Sequence, residues 1–523
     1  MQGALPPSSR TRDGVLRGLV WLGLAGLLVT ILSAQRAMDL DVFHEMALFR
    51  EVLARGAFPR GDVFAYAGTL DRVVDHEWGN GAILYGVYEA TGWGTAGVSA
   101  LQWALVAAVA ALAWRCARRR GATEATAAFL APFAIFLVAI AFLSPVRAQA
   151  FTVLFSTTLL VLLDRDRDGA RWWIPVWLAI HVVWLNVHGG FVVGFAILGG
   201  AALERIVQAR LEGRSTLAAL RGVAHLGAVL AAMALLAGLL NPYGWEYVSY
   251  LVRAIRMPRP AIAEWAPLWD RRIHPVNLVF HGVALLVAAY ALWRAGIRAA
   301  LSVSGWAFLA LAAVASLLTN RNLSLLGLAW FTWTAPLLSR TTMAEVVERE
   351  WTRRPAAVAL VAVVLVAIGA RYAVARRAWV VTVPARPDVR EVLWYPVDAV
   401  DYLALAGFAG RLLTRFEDGA YVSWRLYPAV KVSFDSRYEV AYVPGTLERH
   451  ERLFQAAPGW KAILDEDAAN AVLVPRTSPL DAALDARCED WVAIHRDAAD
   501  SVYLRVRDGA GVPPGPRPAT AAR

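Results

Sequence analysis

The chain has 523 residues, 58% of them hydrophobic and only 18% charged, with 22 tryptophans and a formal net charge of +10. At a mean hydropathy of +0.46 there is too little charge to cover a soluble surface of this size, which excludes a water-soluble globular protein. The positive balance does not indicate nucleic acid either, because many arginines stand at the ends of apolar runs, where they set membrane topology.

Arg10, Arg12 and Arg17 precede an apolar run over 19–33 that lacks a small-residue cleavage site, which reads as an uncleaved signal anchor with 1–17 cytoplasmic. A first outer loop, 35–80, follows. Within it Phe43, Met46, Phe49 and Leu53 recur at three- or four-residue spacing, with His44, Glu45, Glu51 and Arg55 on the other side. This predicts an amphipathic helix at the membrane interface, ended by Gly56 and Pro59. Apolar runs continue to residue 375 and give about eleven spans. Arginines at 115–120, 205–214, 294–298 and 340–354, with the run 164–168, mark the cytoplasmic connections. By alternation Arg147, His188, Glu264 and Arg321 fall outside with the first loop. Cys116 and Cys488 land on opposite sides, so no disulfide is expected. Over 384–508, strand-like runs at 431–435, 471–474 and 502–505 alternate with helix-like stretches at 397–405 and 447–464, predicting an extracytoplasmic α/β domain. The Pro-, Ala- and Arg-rich tail, 509–523, reads as disordered.

Asp39 and Asp41, at the lip of a membrane helix, are costly to desolvate unless something pairs with them. Together they suit a divalent cation, Mg2+ or Mn2+, or a general base whose pKa its neighbour shapes; a helix cap beside a solvated loop acid is the plain alternative. His44 is placed to orient a carboxylate or contact a phosphate. Asp75, His76 and Glu77 form a denser cluster than a tight loop requires, and Trp78 offers an aromatic platform for a sugar or an interface anchor. His188 precedes two glycines, which allow close approach of a ligand or simply make a turn. Arg147 and Arg321 have no acid nearby in sequence, so a phosphate would satisfy either guanidinium bidentately; snorkelling to lipid headgroups is the alternative. Glu264 and Trp265 share a long outer loop, and Asp435 and Arg437 are spaced to pair with each other.

These motifs resemble the multi-span glycosyltransferases of the GT-C type, which take sugars from polyprenyl-phosphate or related lipid donors and carry an acidic motif in the first extracytoplasmic loop, as Asp39 and Asp41 do here. More narrowly, Asp39-Leu40-Asp41-Val42-Phe43-His44, the stretch from Gly56 to Tyr66 and Asp75-His76-Glu77-Trp78 are similar to a mostly uncharacterised group of bacterial membrane proteins. The likeness continues through Asn186-Val187-His188-Gly189, Asn241-Pro242-Tyr243-Gly244, Glu264-Trp265, Gly419-Ala420-Tyr421-Val422 and Phe434-Asp435-Ser436-Arg437. Leu40 replaces a proline common between the acids, and one aromatic is missing before His44.

The resemblance implies a GT-C-like α-helical polytopic protein of the bacterial inner (plasma) membrane. Its expected activity is inverting transfer of a sugar from a polyprenyl-phosphate donor to an extracytoplasmic glycan, lipid or protein acceptor. Asp41 and Asp39 are the expected catalytic residues and the carboxylates that would hold any metal. His44, Asp75, His76, Glu77, Trp78, Arg147, His188, Glu264 and Arg321 are the expected substrate-binding residues. Two other readings stay open, a glycan-lipid transporter or flippase and a non-enzymatic envelope assembly protein. Apolar span interiors with polarity at one rim favour surface-side chemistry over a transport path.

Overall fold

The structure, a computed structural model, describes residues 7–66, 68–257, 259, 262–388, 391–487 and 490–506. Cys488 and the tail 509–523 lie outside the described residues. Two compact units divide the chain, one made of Met1–Arg36 with Ser99–Val380 and the other of Ala37–Val98 with Val381–Arg523. Most of the first loop therefore packs with the C-terminal residues.

In the first unit, eight helices among the described residues are long and apolar enough to cross a membrane: Gly14–Leu32, Thr95–Arg119, Glu124–Phe142, Ala148–Arg167, Gly189–Leu211, Thr216–Leu239, Pro275–Ala295 and Pro355–Arg376. The fifth, ninth and tenth expected spans fall on shorter helices, Trp173–Val187, Trp306–Leu318 and Leu323–Leu338, of 15, 13 and 16 residues. An upright crossing needs about 20 residues. The eleven expected spans thus resolve into eight full-length helices and three short ones. The short ones stop where polar turns take over, at His188 and at the 3-10 turn Asn320–Asn322.

Small residues set the closest helix approach. A Cβ on Gly26 would lie 2.4 Å from the Leu365 carbonyl oxygen, and one on Gly369 would lie 2.4 Å from the Gly26 Cα. Backbone contact of this kind is how helices associate where lipid offers no hydrophobic drive.

Polarity is not confined to one rim. Helix Ala148–Arg167 has Arg147 at its N-terminus, and near its C-terminus Asp164 accepts from Arg120 Nε at 3.0 Å. Close by, Asp166 accepts from Trp173 Nε1 at 2.6 Å and pairs with Arg205, while Glu204 accepts from the Gly305 and Ala307 N–H groups at 2.9 and 3.0 Å. Asp164 and Asp166 of the 164–168 run, read from sequence as marking a cytoplasmic connection, also tie helix ends together.

The second unit contains a five-stranded mixed sheet. Its strands are β1 (Gly410–Leu413), β2 (Val430–Val432), β3 (Ala471–Pro475), β4 (Trp491–Arg496) and β5 (Asp500–Arg505), in the order β2-β1-β3-β5-β4. β1 is parallel to β2 and β3, whereas β5 is antiparallel to β3 and β4. Leu413, Val472, Val474 and Tyr503 pack with Leu453, Leu464 and Leu484 from the flanking helices. Three of these strands were expected; β1 and β4 were not. The stretch at 447–464 divides into helices Thr446–Phe454 and Trp460–Asp467.

The first loop completes this unit. Tyr66 N–H donates to the Val432 carbonyl at 3.1 Å and Val432 N–H to the Phe64 carbonyl at 3.0 Å, so the loop covers the open edge of β2. Leaving such an edge bare would invite pairing with another chain. Helix Leu40–Arg55 keeps only the C-terminal part of the polar outer face expected of an interfacial helix, where Glu51 is half-buried and Arg55 exposed. Val42 through Leu48 are all buried, His44 and Glu45 included, and Phe43 meets Tyr395 and Tyr421 edge-on, each at 5.0 Å.

Candidate functional site

The expected site residues fall into two groups, one in each unit. The first group is built on the start of helix Leu40–Arg55. Asp39 is its N-cap, with extended backbone and a carboxylate that accepts from Asp41 N–H at 3.2 Å. Capping in this way satisfies a helix donor that has no intrahelical partner. Asp41 sits in the first turn, half-buried. The residues just before them are tied to the C-terminal segment: Ala37 N–H donates to the Glu391 carboxylate at 3.0 Å, Met38 N–H to the Thr382 carbonyl at 2.9 Å, and the Tyr395 hydroxyl to the Met38 carbonyl. Burial and then the carboxylates of Asp39, Asp41 and Asp418 push the Tyr395 phenol well above its ordinary pKa, so it stays a donor.

One turn on, His44 Nε2 lies 3.5 Å from Asp75 Oδ1, with both side chains buried. Burial raises the Asp75 pKa, but the hydrogen bond and charge of His44, with Arg437 and His76, outweigh it and hold the carboxylate below its usual range. His76 and Glu77 approach each other at 3.5 Å. The Trp78 ring is half-buried and meets Phe58 edge-on at 5.0 Å.

The sequence reading missed Glu45, between these named acids. Its Oε2 accepts from Asn80 Nδ2 at 2.6 Å. Burial, then the carboxylates of Glu77 and Asp41, push its pKa well above the ordinary value. Glu45 stands four residues after Asp41, a spacing that puts both on one helix face and would have identified it. Close approach at Gly81 builds the contact, because a Cβ there would lie 2.2 Å from the Glu45 carbonyl oxygen. Gly81→Ala is expected to destabilise the second unit by about 1–3 kcal/mol, the usual cost of overpacking. An unchanged thermal unfolding midpoint for the full-length variant would contradict that.

A buried ion pair backs this group. Arg437 grips Asp435 through Nε at 2.9 Å and Nη2 at 2.6 Å, and its Nη1 reaches Asp62 in the first loop. The side chains of all three are at most 4% exposed. The pairing of Asp435 with Arg437 was anticipated; Asp62 was not. Gly419 belongs to the same packing, since a Cβ there would fall 2.0 Å from the Phe434 carbonyl oxygen.

Asp39 is engaged as a cap, and among the described residues no group of three or more His, Cys, Asp or Glu side chains is placed to hold a metal ion. Mg2+ keeps several waters and is commonly held by only one or two carboxylates together with substrate phosphate.

The second group lies in the first unit, at the helix termini around Arg147. Its guanidinium donates to both oxygens of Glu264, at 2.6 and 3.2 Å, so the carboxylate that its sequence neighbourhood lacks comes from the long loop. Arg321 Nη1 is 3.7 Å from the same carboxylate. The Trp265 ring stacks against the guanidiniums of Arg321, at 4.5 Å, and Arg259, at 4.2 Å. His188 Nδ1 accepts from Gly190 N–H at 3.1 Å and lies 2.6 Å from the Thr152 hydroxyl. In the neutral ring that leaves the proton on Nε2, which lies 3.5 Å from Arg321 Nη2. Gly190 has to be small, as a Cβ would fall 2.4 Å from both His188 Nδ1 and the Thr152 hydroxyl.

No family model matches the chain, and no curated protein does. Two solved structures of ArnT from Cupriavidus metallidurans do match. The apo state is 13% identical with a TM-score of 0.51, covering 95% of this chain and 99% of that one. The state bound to undecaprenyl phosphate is 15% identical, with the same score and coverage. The chain is thus a multi-pass membrane protein that shares its fold with ArnT.

Proposed function

We propose that the chain is a membrane glycosyltransferase that moves a sugar from a polyprenyl-phosphate donor to an extracytoplasmic acceptor at a bacterial plasma membrane. The observation that carries this reading is the cluster of Arg147, Glu264, Arg321 and His188. Two guanidiniums approach one carboxylate. Beside it, the His188 Nε2–H and an Arg321 N–H stand side by side. Guanidinium and imidazole N–H groups grouped in this way are the kind of donors that proteins aim at phosphate oxygens. The architecture shared with ArnT, one of whose structures holds undecaprenyl phosphate, supports a lipid phosphate as that anion.

In this mechanism Asp41 takes the proton from an acceptor hydroxyl as its oxygen attacks the anomeric carbon. The bond from that carbon to the phosphate oxygen breaks on the opposite face, inverting the centre. Polyprenyl phosphate leaves, and Arg147, Arg321 and His188 stabilise its developing charge. Asp39 fixes the helix start that presents Asp41.

The test is transfer from a panel of radiolabelled polyprenyl-phosphate sugars to an extracted membrane-glycan fraction by the purified full-length protein. Labelled glycan and free polyprenyl phosphate are expected, and Arg321→Gln should slow their appearance by about 10²–10³-fold, the usual effect of losing one oxyanion donor. Intact donor crossing the bilayer uncleaved would instead establish a transporter, and bound but unconsumed donor an assembly protein.

A further inference from the structure

The second unit holds a cavity of about 490 Å³, outside the groups described above. Its walls come from Tyr66 and Gly68 of the first loop, Ser433, the turn from Val443 to Thr446, and the side chains of Arg449, His450, Glu466 and Asp467. This volume is in the range of small-molecule sites.

Three of the wall residues have buried polar atoms with no hydrogen-bond partner among the described residues, the Tyr66 hydroxyl, His450 Nε2 and Asp467 Oδ2. The other polar side-chain atoms of His450 and Asp467 are engaged. His450 Nδ1 bonds the Thr446 carbonyl at 3.1 Å, so the ring proton sits on Nδ1 and Nε2 presents a lone pair. The ring lies on Phe434, with centroids 4.7 Å apart, and burial lowers its pKa to about 4, keeping it neutral at ordinary pH. Asp467 Oδ1 accepts from Arg449 Nη2 at 2.8 Å, leaving Oδ2 as the second acceptor.

The charge balance narrows the ligand. Arg449 is already paired with Asp467 and with Glu466 at 3.2 Å, so no free cation remains for a phosphate or carboxylate. The same guanidinium disfavours a metal ion. What the walls leave unmet is two acceptors, His450 Nε2 and Asp467 Oδ2, and the Tyr66 hydroxyl, and a neutral ligand rich in hydroxyls, which both donate and accept, satisfies them. The exposed Val443 and Pro444 at the rim provide an apolar surface for the C–H face of a sugar ring.

We propose that this cavity is a carbohydrate-binding site, in which sugar hydroxyls donate to Asp467 Oδ2 and His450 Nε2. It does not depend on the transfer reading, because it is a property of the soluble part and its test measures binding alone. The probes are glucose, galactose, mannose, their 2-amino and 2-acetamido derivatives and the corresponding disaccharides, titrated into the full-length protein in nanodiscs and followed by saturation-transfer NMR and calorimetry.

At least one probe is expected to bind saturably. Asp467→Asn should weaken it roughly ten- to hundredfold, the effect of removing a charged acceptor, and His450→Phe, which keeps the stack on Phe434, should weaken it by about tenfold. Hydrogen exchange on the wild type supplies a readout that needs no variant: the bound sugar should protect 443–450 and 463–467. No saturable binding by any probe, or protection confined to other segments, would overturn the site.

Discussion

Arg437→Met is expected to cost the second unit about 3–5 kcal/mol, the penalty for leaving buried charge without its partner. Asp435 and Asp62 both point at this guanidinium, and neither reaches solvent. Methionine fills much of the volume but supplies no donor, so two carboxylates would share a dry site with nothing to offset them. The fall in unfolding midpoint should be roughly 10 °C, followed by tryptophan fluorescence on the full-length protein in detergent. The pH dependence identifies the cause. Burial alone would raise the Asp435 pKa, but Arg437 outweighs it and holds the carboxylate below its ordinary range. A depressed pKa contributes stability above the unfolded value that is lost as pH falls through the folded one. The wild type should therefore lose this contribution in acid, whereas the variant, which lacks it, should be penalised most near neutrality. The two curves converge as pH drops. A gap that stays constant with pH would mean that packing, not charge, explains the loss.

The legible parts of this fold are those written in local pattern. Apolar runs bounded by arginines identified a polytopic membrane protein, and alternating runs identified β2, β3 and β5. The spacing of Asp435 and Arg437 announced their pairing. What escaped depends on partners far away in the chain. Glu264 reaches Arg147 across 117 residues and Asp62 reaches Arg437 across 375, and no local signal encodes either contact. Tyr395 and Glu391, which hold the start of the acidic loop, sit at the start of the expected C-terminal domain, and nothing in their spacing points back to residues 37 and 38. The first half of the polar face of helix Leu40–Arg55 misled for a physical reason: Glu45 and His44 are answered by Asn80 and Asp75 from the end of the same loop, not by water.

Of all substitutions, Asp41→Asn is expected to have the largest effect on activity. Asparagine keeps the size of the side chain and its place in the first helical turn, and leaves the Asp39 cap on the backbone N–H intact. It cannot take a proton from an acceptor hydroxyl, so transfer should fall by about 10²–10⁴-fold, the range for losing a general base. Donor binding should survive, because the residues proposed to meet the phosphate are Arg147, Arg321 and His188. The decisive measurement is release of polyprenyl phosphate from a labelled polyprenyl-phosphate sugar by wild type and Asp41→Asn side by side, with undecaprenyl phosphate binding measured on both. The account predicts release by the wild type, its near-complete loss in the variant and equal binding by the two. Undiminished release by Asp41→Asn would contradict the central role of Asp41, and absence of release by a folded, lipid-binding wild type would contradict the glycosyltransferase assignment itself.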